Sequence, residues 1–440
     1  MRQNAVLRNI DWPILSAFLF LCFAGWINIY SAGFSEGSGS IFSWHLESGK
    51  QFFWIALSLI VGLGILSLDN RFIIKSSKWV YLFTVFLLIL VLLFGREVNG
   101  ARSWFGIGSF GIQPSEFAKL GAALMVSDFL NQRTSIFNNF KNRFLVAGII
   151  AIPAFLILLQ PDTGTALAFT AFVFVFYREG LSGNILLFGF LAITIAVLLL
   201  LFQYSEFGIP FTEQTVSGNT AFVFAICTLF LICFFLIEKY SVPRFKKGRK
   251  ITAIVLFISC ITFVFTVRYA FNEVLESHQQ TRINILLGLE EDPQGAGYNI
   301  KQSKTAIGSG GAFGKGYLDG NLTKFKYVPM QSTDFIFCTV GEEWGFVGSF
   351  FIVLVFLFLI VRIIRVSERQ RSRFSRVFGY SLSFILFMHL GINIGMAIGL
   401  APVIGIPLPF FSYGGSSLLA FSASIFIFLR LDSGRLEVLR

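Results

Sequence analysis

The chain has 440 residues, 55% of them hydrophobic and only 13% charged, with 56 phenylalanines, a balance too apolar for a soluble chain with a polar shell. Lipid is the expected solvent. The formal charge of +11 would suggest nucleic acid in a soluble protein, but here the basic residues fall between apolar runs, as topology signals do, and no nucleic-acid partner is expected.

Arg2 and Arg8 precede an apolar run longer than a signal-peptide core, so the first segment reads as a retained helix. Spanning helices are predicted over 13–31, 51–68, 79–95, 115–130, 144–159, 164–177, 184–202, 219–237, 251–270, 344–361, 377–400 and 416–430. Most of these are long enough to cross a hydrocarbon core of roughly 30 Å, and the short pair flanking 160–164 is expected to tilt or to be buried by neighbours. The predicted fold class is all-α: a polytopic transmembrane helical bundle of about twelve spans, forming one membrane domain over 1–440, with a large extracytoplasmic loop. A cytoplasmic N-terminus places Arg71, Lys75, Arg133, Lys141, Arg143 and the basic runs 244–250 and 362–376 inside, so both termini are expected in the cytoplasm.

Cys22, Cys227, Cys233, Cys260 and Cys338 show no CxxC spacing, and no disulfide framework is expected. His45, His278 and His389 are too scattered to read as a metal site. The basic run at 244–250 is read as a topology signal or an anionic-lipid contact.

Four outer segments are rich in Gly, Pro and polar residues: 96–114, 160–164, 271–343 and 401–415. The longest, 271–343, is where chemistry is expected, because long loops in compact proteins are usually functional. It contains Glu290, Glu291, Asp292, Pro293, Gln294, Gly295, Ala296, Gly297 and Tyr298, then Gln302 and Ser303, then a glycine-rich stretch from Gly308 to Gly316. Glycines let backbone N–H groups approach an anion, and Lys315 adds a point charge suited to phosphate; the alternative is that the glycines only make turns. A phosphate-binding loop would need Gly at Ser309 and Ser or Thr at Gly316, and a dinucleotide fingerprint would need Gly at Phe313, so neither fits.

Glu116 and Lys119 are three apart on a helix that begins at Pro114, so they share a face and can pair within the membrane. A fold-stabilising pair and a substrate cavity are both open readings. Asp162 can cap the following helix or contact substrate. Asn393, among Gly391, Gly395 and Gly399, reads as glue between close-packed helices.

Several blocks resemble the SEDS family (shape, elongation, division and sporulation): Ile10-Asp11-Trp12, Asn99 to Trp104, Gln113 to Lys119, Gln160 to Leu167, Asp292 to Tyr298 and Gln302 to Gly316. Thr333 to Phe337, Glu342-Glu343, Asn393 to Leu400 and Pro407 to Ser417 complete the set, and details such as Gly314-Lys315-Gly316 are more similar to its RodA-like members than to FtsW. The resemblance implies a peptidoglycan glycosyltransferase that polymerises lipid II on the outer face of the cytoplasmic membrane, beside a class B penicillin-binding protein. It implies Asp292 as the catalytic residue, and it carries Glu116, Lys119 and Asp162 over from the family's motif blocks. Against the family's usual ten spans, residues 219–270 read as an inserted transmembrane hairpin with a basic turn at 244–250. Ser103 stands where many members have Arg, and Pro329-Met330-Gln331-Ser332 replaces Pro-Glu-x-His.

Glycan polymerisation requires an acceptor hydroxyl to attack the anomeric carbon of a donor and expel a diphosphate. Asp292 is the candidate general base, with Glu290 and Glu291 as alternatives. Arg102, Lys315 and Arg282 are candidate cations for the diphosphate, and Gln302 and Ser303 are further candidate substrate contacts. A divalent cation, Mg or Mn, is a reasonable addition, and no organic cofactor is expected. The competing classes are a lipid II flippase or other transporter, and a non-catalytic scaffold for cell-wall enzymes.

Overall fold

The computed structural model describes residues 9–35, 39–98, 101–107, 110–133, 139–203, 205–208, 215–290, 292 and 295–435. Two compact units are present, Met1–Leu181 with Tyr298–Arg440, and Ser182–Gly297. The larger begins with α1 (Trp12–Gly33), α2 (Glu47–Ser67), α3 (Asn70–Phe94), strands β1 to β3 (Arg96–Val98, Ala101–Ile107, Phe110–Ile112), α4 (Pro114–Asn131), α5 (Phe140–Leu158), α6 (Thr163–Ala168) and α7 (Ala171–Arg178). The smaller unit contains α8 (Gly183–Phe202), β4 and β5 (Glu206–Gly208, Thr215–Ser217), α9 (Gly218–Tyr240), α10 (Pro243–Tyr269), a π-helical turn (Ala270–Val274) and α11 (Ser277–Leu286). After α12 (Ala296–Ser309) and α13 (Asn321–Lys324), the larger unit closes with α14 (Ile336–Glu368), α15 (Arg373–Ile398) and α16 (Gly415–Ser433).

All twelve expected segments are helical, and among the described residues ten helices are long and apolar enough to cross a membrane. The two outside that set have physical reasons. The α4 helix carries Glu116, Lys119 and several small residues on a largely buried surface, which lowers its hydropathy. The 164–177 segment breaks between α6 and α7, leaving each piece short.

Three features differ from expectation. The basic run 244–250 is not a turn: Pro243 occupies the first helical position and Lys and Arg favour helix, so the run forms the opening turns of α10 and only Ser241 and Val242 connect the hairpin. The otherwise helical chain also holds two small antiparallel sheets, with Glu97 opposite Arg102, Phe105 opposite Ile112 and Phe207 opposite Val216. The expected glycine stripe on α15 is not a packing seam. A Cβ on Gly391 would meet open space and one on Gly395 only Ala401 just beyond the same helix, whereas Gly399, which ends the helix with φ +75°, is approached by Lys304, whose Cε would stand 2.5 Å from a Cβ there.

The core of the larger unit forms around α1, α4, α14, α15 and α16. Asp11 caps α1 by accepting from Ile14 N–H at 3.4 Å, with Pro13 in the first turn. Phe18 meets Phe410 and Phe426 edge-on at 5.1 and 5.8 Å. Gly25 lets α1 approach the chain at Phe411 so closely that a Cβ would stand 2.5 Å from its Cα.

At one end of this unit, arginines tie segments far apart in sequence. Arg369 reaches Asp11 at 2.9 Å and Asp432 at 2.7 Å, and Arg362 adds a second bond to Asp11 at 2.8 Å. Arg430 donates to Leu68 O at 2.6 Å and Arg373 to Arg133 O at 2.6 Å, while Arg373 and Arg376 hold Glu179 at 2.8 and 3.0 Å.

In the smaller unit, α9 and α10 pack through Phe230 and Phe257, stacked at 4.3 Å. Leu231, Phe235, Val255 and Ile258 lie exposed, as lipid-facing side chains should.

Candidate active site

Asp292 sits just ahead of α12, and the motif around it has a steric explanation. Its Oδ1 accepts from Gly295 N–H at 2.8 Å. A Cβ on Gly295 would stand 2.1 Å from Asp292 Oδ2, and one on Gly297 would stand 2.7 Å from Asp292 O. A side chain at 297 would run into Asp292 backbone, so glycine there lets the chain fold back tightly, and a methyl group at 295 would push the Asp292 carboxylate from its seat before a helix N-terminus, where the helix dipole favours negative charge. Glu290 is engaged differently, accepting from Asn284 Nδ2 at 3.3 Å. Glu291 lies outside the described residues. Arg282 is on α11, in the same unit as Asp292.

The glycine-rich stretch has a structural role in place of an open anion cradle. Gly314 N–H donates to Gly310 O at 2.8 Å, Lys315 N–H to Glu342 O at 3.0 Å and Gly316 N–H to Glu343 O at 3.1 Å. The α14 helix is kinked at Gly345, whose φ is +65°, and a Cβ there would stand 2.2 Å from Gly314 N. Lys315 Nζ is paired with the buried Glu342 at 2.7 Å. Glu342 also accepts from Leu322 N–H at 3.0 Å, Thr323 N–H at 2.8 Å and Thr323 Oγ1 at 2.8 Å. The N–H groups and the ammonium expected to meet a phosphate are therefore engaged within the protein. Ser303 is likewise buried, donating to Ala397 O at 2.8 Å. Gln302 is half-buried on α12, and Arg102 is exposed on β2.

The remaining motif blocks of the larger unit converge at the end opposite the arginines. Gln113 Nε2 donates to Asp162 Oδ2 at 2.8 Å, and Gln113 N–H donates to Ser416 Oγ at 3.0 Å. Asp162 Oδ1 accepts from Thr165 N–H at 3.0 Å, so it caps α6 as one reading held. Desolvation by the surrounding protein pushes the Asp162 carboxyl above the usual carboxylate range, against the lowering effect of its bonds to Thr165.

Below it, Lys119 Nζ is 2.8 Å from Glu116 Oε1 and 2.8 Å from His389 Nε2, with all three side chains buried. His389 Nδ1 is 3.2 Å from Pro407 O, an arrangement satisfied when Nδ1 carries the ring proton and Nε2 accepts from the ammonium. Lys119 also lies 5.0 Å from the centre of the Phe421 ring. Asn393 Nδ2 donates to Asp334 O at 2.8 Å and Ile406 O at 2.7 Å, which is the joining role expected of it.

The profile of the FtsW/RodA/SpoVE cell cycle proteins matches residues 12–209 and 218–436. The chain belongs to this family. Peptidoglycan glycosyltransferase RodA of Treponema pallidum is 33% identical over 428 residues, covering 95% of this chain and 96% of that protein. Peptidoglycan glycosyltransferase MrdB of Escherichia coli is 31% identical over 382 residues, covering 87% and 84% respectively. Among solved structures, a chain from a peptidoglycan synthase complex aligns with a TM-score of 0.69 and 25% identity over 97% of this chain and 99% of its own length. A rod shape determining protein RodA of Thermus thermophilus, at 22% identity and a TM-score of 0.60, shares the fold, covering 97% of this chain and 99% of that one.

Within the family frame, two groups escaped the sequence reading. His389 completes the Lys119 cluster, but it is 270 positions away and the intervening sequence carries no spacing signal. Gln331, in the stretch 329–332 that departs from the family pattern, donates to Ala32 O at 2.6 Å and Thr323 O at 2.9 Å, bridging two segments far apart in sequence. Among the described residues no three His, Cys, Asp or Glu side chains come together as a metal cage.

Proposed function

We propose that this chain, a peptidoglycan glycosyltransferase of the FtsW/RodA/SpoVE family, joins lipid II disaccharide units into glycan strands for cell elongation and rod shape. The reaction is assigned to the outer face of the cytoplasmic membrane, with release of undecaprenyl diphosphate. The observation that carries the mechanism is the seating of Asp292: its Oδ1 is fixed by Gly295 N–H at 2.8 Å ahead of a helix N-terminus, in a turn where a Cβ at 297 would meet Asp292 backbone and one at 295 its carboxylate. A carboxylate oriented in this way offers its second oxygen, Oδ2, to an incoming hydroxyl.

In the step proposed, the C4 hydroxyl of the acceptor GlcNAc attacks C1 of the donor MurNAc. The bond from C1 to the diphosphate oxygen breaks with inversion, and Asp292 takes the hydroxyl proton as the new bond forms. Such proton transfer contributes typically 10²–10⁴ in rate. The leaving group needs its charge stabilised more than it needs a proton, and Arg102 and Arg282 are the cations assigned to it. Lys315 is assigned a lesser part, because its ammonium already neutralises Glu342. No step is routed through a metal ion. The transpeptidase partner is proposed to be a class B penicillin-binding protein, in keeping with the peptidoglycan synthase complex in which a structural relative is found. The arginine-rich end, which holds Asp11 and Asp432, is assigned to the cytoplasm.

The test is glycan product formed from lipid II by purified protein with its partner. Asp292→Asn keeps the acceptor oxygen for Gly295 N–H and should still bind lipid II, but product should fall by about two to four decades. Glu290→Gln and Glu291→Gln should cost far less. Near-normal product from the Asp292 variant would remove the mechanism. Protein-dependent movement of lipid II across a bilayer with no polymer formed by any of the proteins would favour a transporter.

A further inference from the structure

The α9–α10 hairpin encloses a groove of about 910 Å³ for which the polymerase reaction has no use. Ile226, Cys233 and Leu256 stand for its apolar lining, and the only charged groups on it are Arg244 and Arg249. Both lie in the opening turns of α10, so the charge is confined to one end. At 1.5 Å per residue, the lining from Arg244 to Cys260 extends roughly 24 Å, more than one leaflet of a hydrocarbon core of roughly 30 Å.

The other cations of this run are differently employed. Lys246 and Lys250 both pair with Glu238, on the helix facing them. Arg249 Nη1 reaches only a hydroxyl, Ser241 Oγ at 3.3 Å, and Arg244 lies 5.8 Å from the Phe245 ring. Among the described residues neither arginine has a carboxylate partner. Two such guanidiniums at the mouth of an apolar groove match an amphiphile with one anionic head and long apolar tails. Charge confined to one end of an otherwise apolar groove suits such an amphiphile, whose head and tails are divided in the same way.

We propose that this groove seats an anionic phospholipid, with its phosphate between Arg244 and Arg249 and its acyl chains lying between α9 and α10. This rests on the hairpin crossing the bilayer and is independent of the assignment of Asp292. The bound lipid would give this end of the hairpin a fixed level at the membrane interface.

The test is native mass spectrometry of the full chain in detergent, titrated with phosphatidylglycerol, with phosphatidylcholine or with undecaprenyl phosphate. Phosphatidylglycerol should be retained in preference to phosphatidylcholine. Arg244→Gln with Arg249→Gln should weaken that retention about 30-fold, from the effect of two surface cations on an anionic headgroup. Lys247→Gln, which removes a charge from the same run but not from the groove lining, should change it little. Cys233→Trp keeps both arginines and puts a bulky ring in the path of the acyl chains, so it too should weaken lipid retention while the protein's melting temperature in detergent alone stays near that of the parent. Equal retention of phosphatidylglycerol and phosphatidylcholine would overturn the proposal. So would a Lys247 effect as large as the arginine effect, which would mean that diffuse charge attracts the lipid, or retention of undecaprenyl phosphate without phosphatidylglycerol.

Discussion

Replacing Lys119 with Met keeps most of the side-chain volume and removes the ammonium from a site where all the neighbours are buried. Lys119 is 3% and Glu116 2% exposed, so solvent screens neither. The substitution leaves Glu116 Oε1 and His389 Nε2 without the group that bridges them at 2.8 Å each, and Glu116 Oε2 already has no hydrogen-bond partner in the protein. Stranding one partner of a buried pair costs about 3–5 kcal/mol, whereas removing both charges together costs far less. Lys119→Met should therefore be strongly destabilised, and Glu116→Gln with Lys119→Met should recover most of the loss. The assay is unfolding of the full chain in detergent, by heat or by titration with a denaturing surfactant, with the two single variants and the double variant forming one thermodynamic cycle. If the single Lys119 variant were no less stable than the double, the cluster would not act as a coupled structural unit. If it folded normally and made no polymer, Lys119 would belong to the substrate cavity instead.

Gly297→Ala places a methyl group 2.7 Å from Asp292 O and must displace the base; a shift of about 1 Å costs on the order of 100-fold in rate, so product should fall while melting temperature holds. Asp162, in the turn before α6, has its carboxyl raised by desolvation, so the fold favours the protonated form. Its contribution to stability is complete below the ordinary value of about 3.9 and is lost as pH rises through the higher folded value. Melting temperatures measured from pH 4 to 8 should show the parent losing ground to Asp162→Asn as pH increases, and parallel curves would contradict the assignment.

The helices were legible because apolar runs of spanning length leave few alternatives in lipid. Turns were less so: Arg244 to Lys250 read as a loop by charge alone, yet helix propensity and Pro243 draw those residues into α10. The short strands at 96–112 escaped because three-residue ladders carry little alternation. At the site, the local motif was readable, since Asp292, Gly295 and Gly297 constrain one another within six positions. The partners of the second glycine stretch were not. Gly314 is shaped by Gly345, and Lys315 by Glu342, across separations that no periodicity reports. The same limit applies to Lys119 and His389.

The arginine contacts carry a consequence for counting. Residues 11, 68, 133, 179, 369 and 432 are joined at one end of the larger unit by Arg369, Arg430, Arg373 and Arg376. A chain that leaves a plane and returns to it must cross the space beside it an even number of times. Between 68 and 133 the helices are α3 and α4, and between 133 and 179 they are α5 and the broken pair α6 and α7. Parity then demands that α4 make the return journey for α3, and that α6 and α7 together make it for α5. The two segments outside the set of long apolar helices are thus placed between the two ends of the larger unit by the contacts at their ends: α4 offsets its polar residues by burial against other helices, and α6 and α7 are apolar but short.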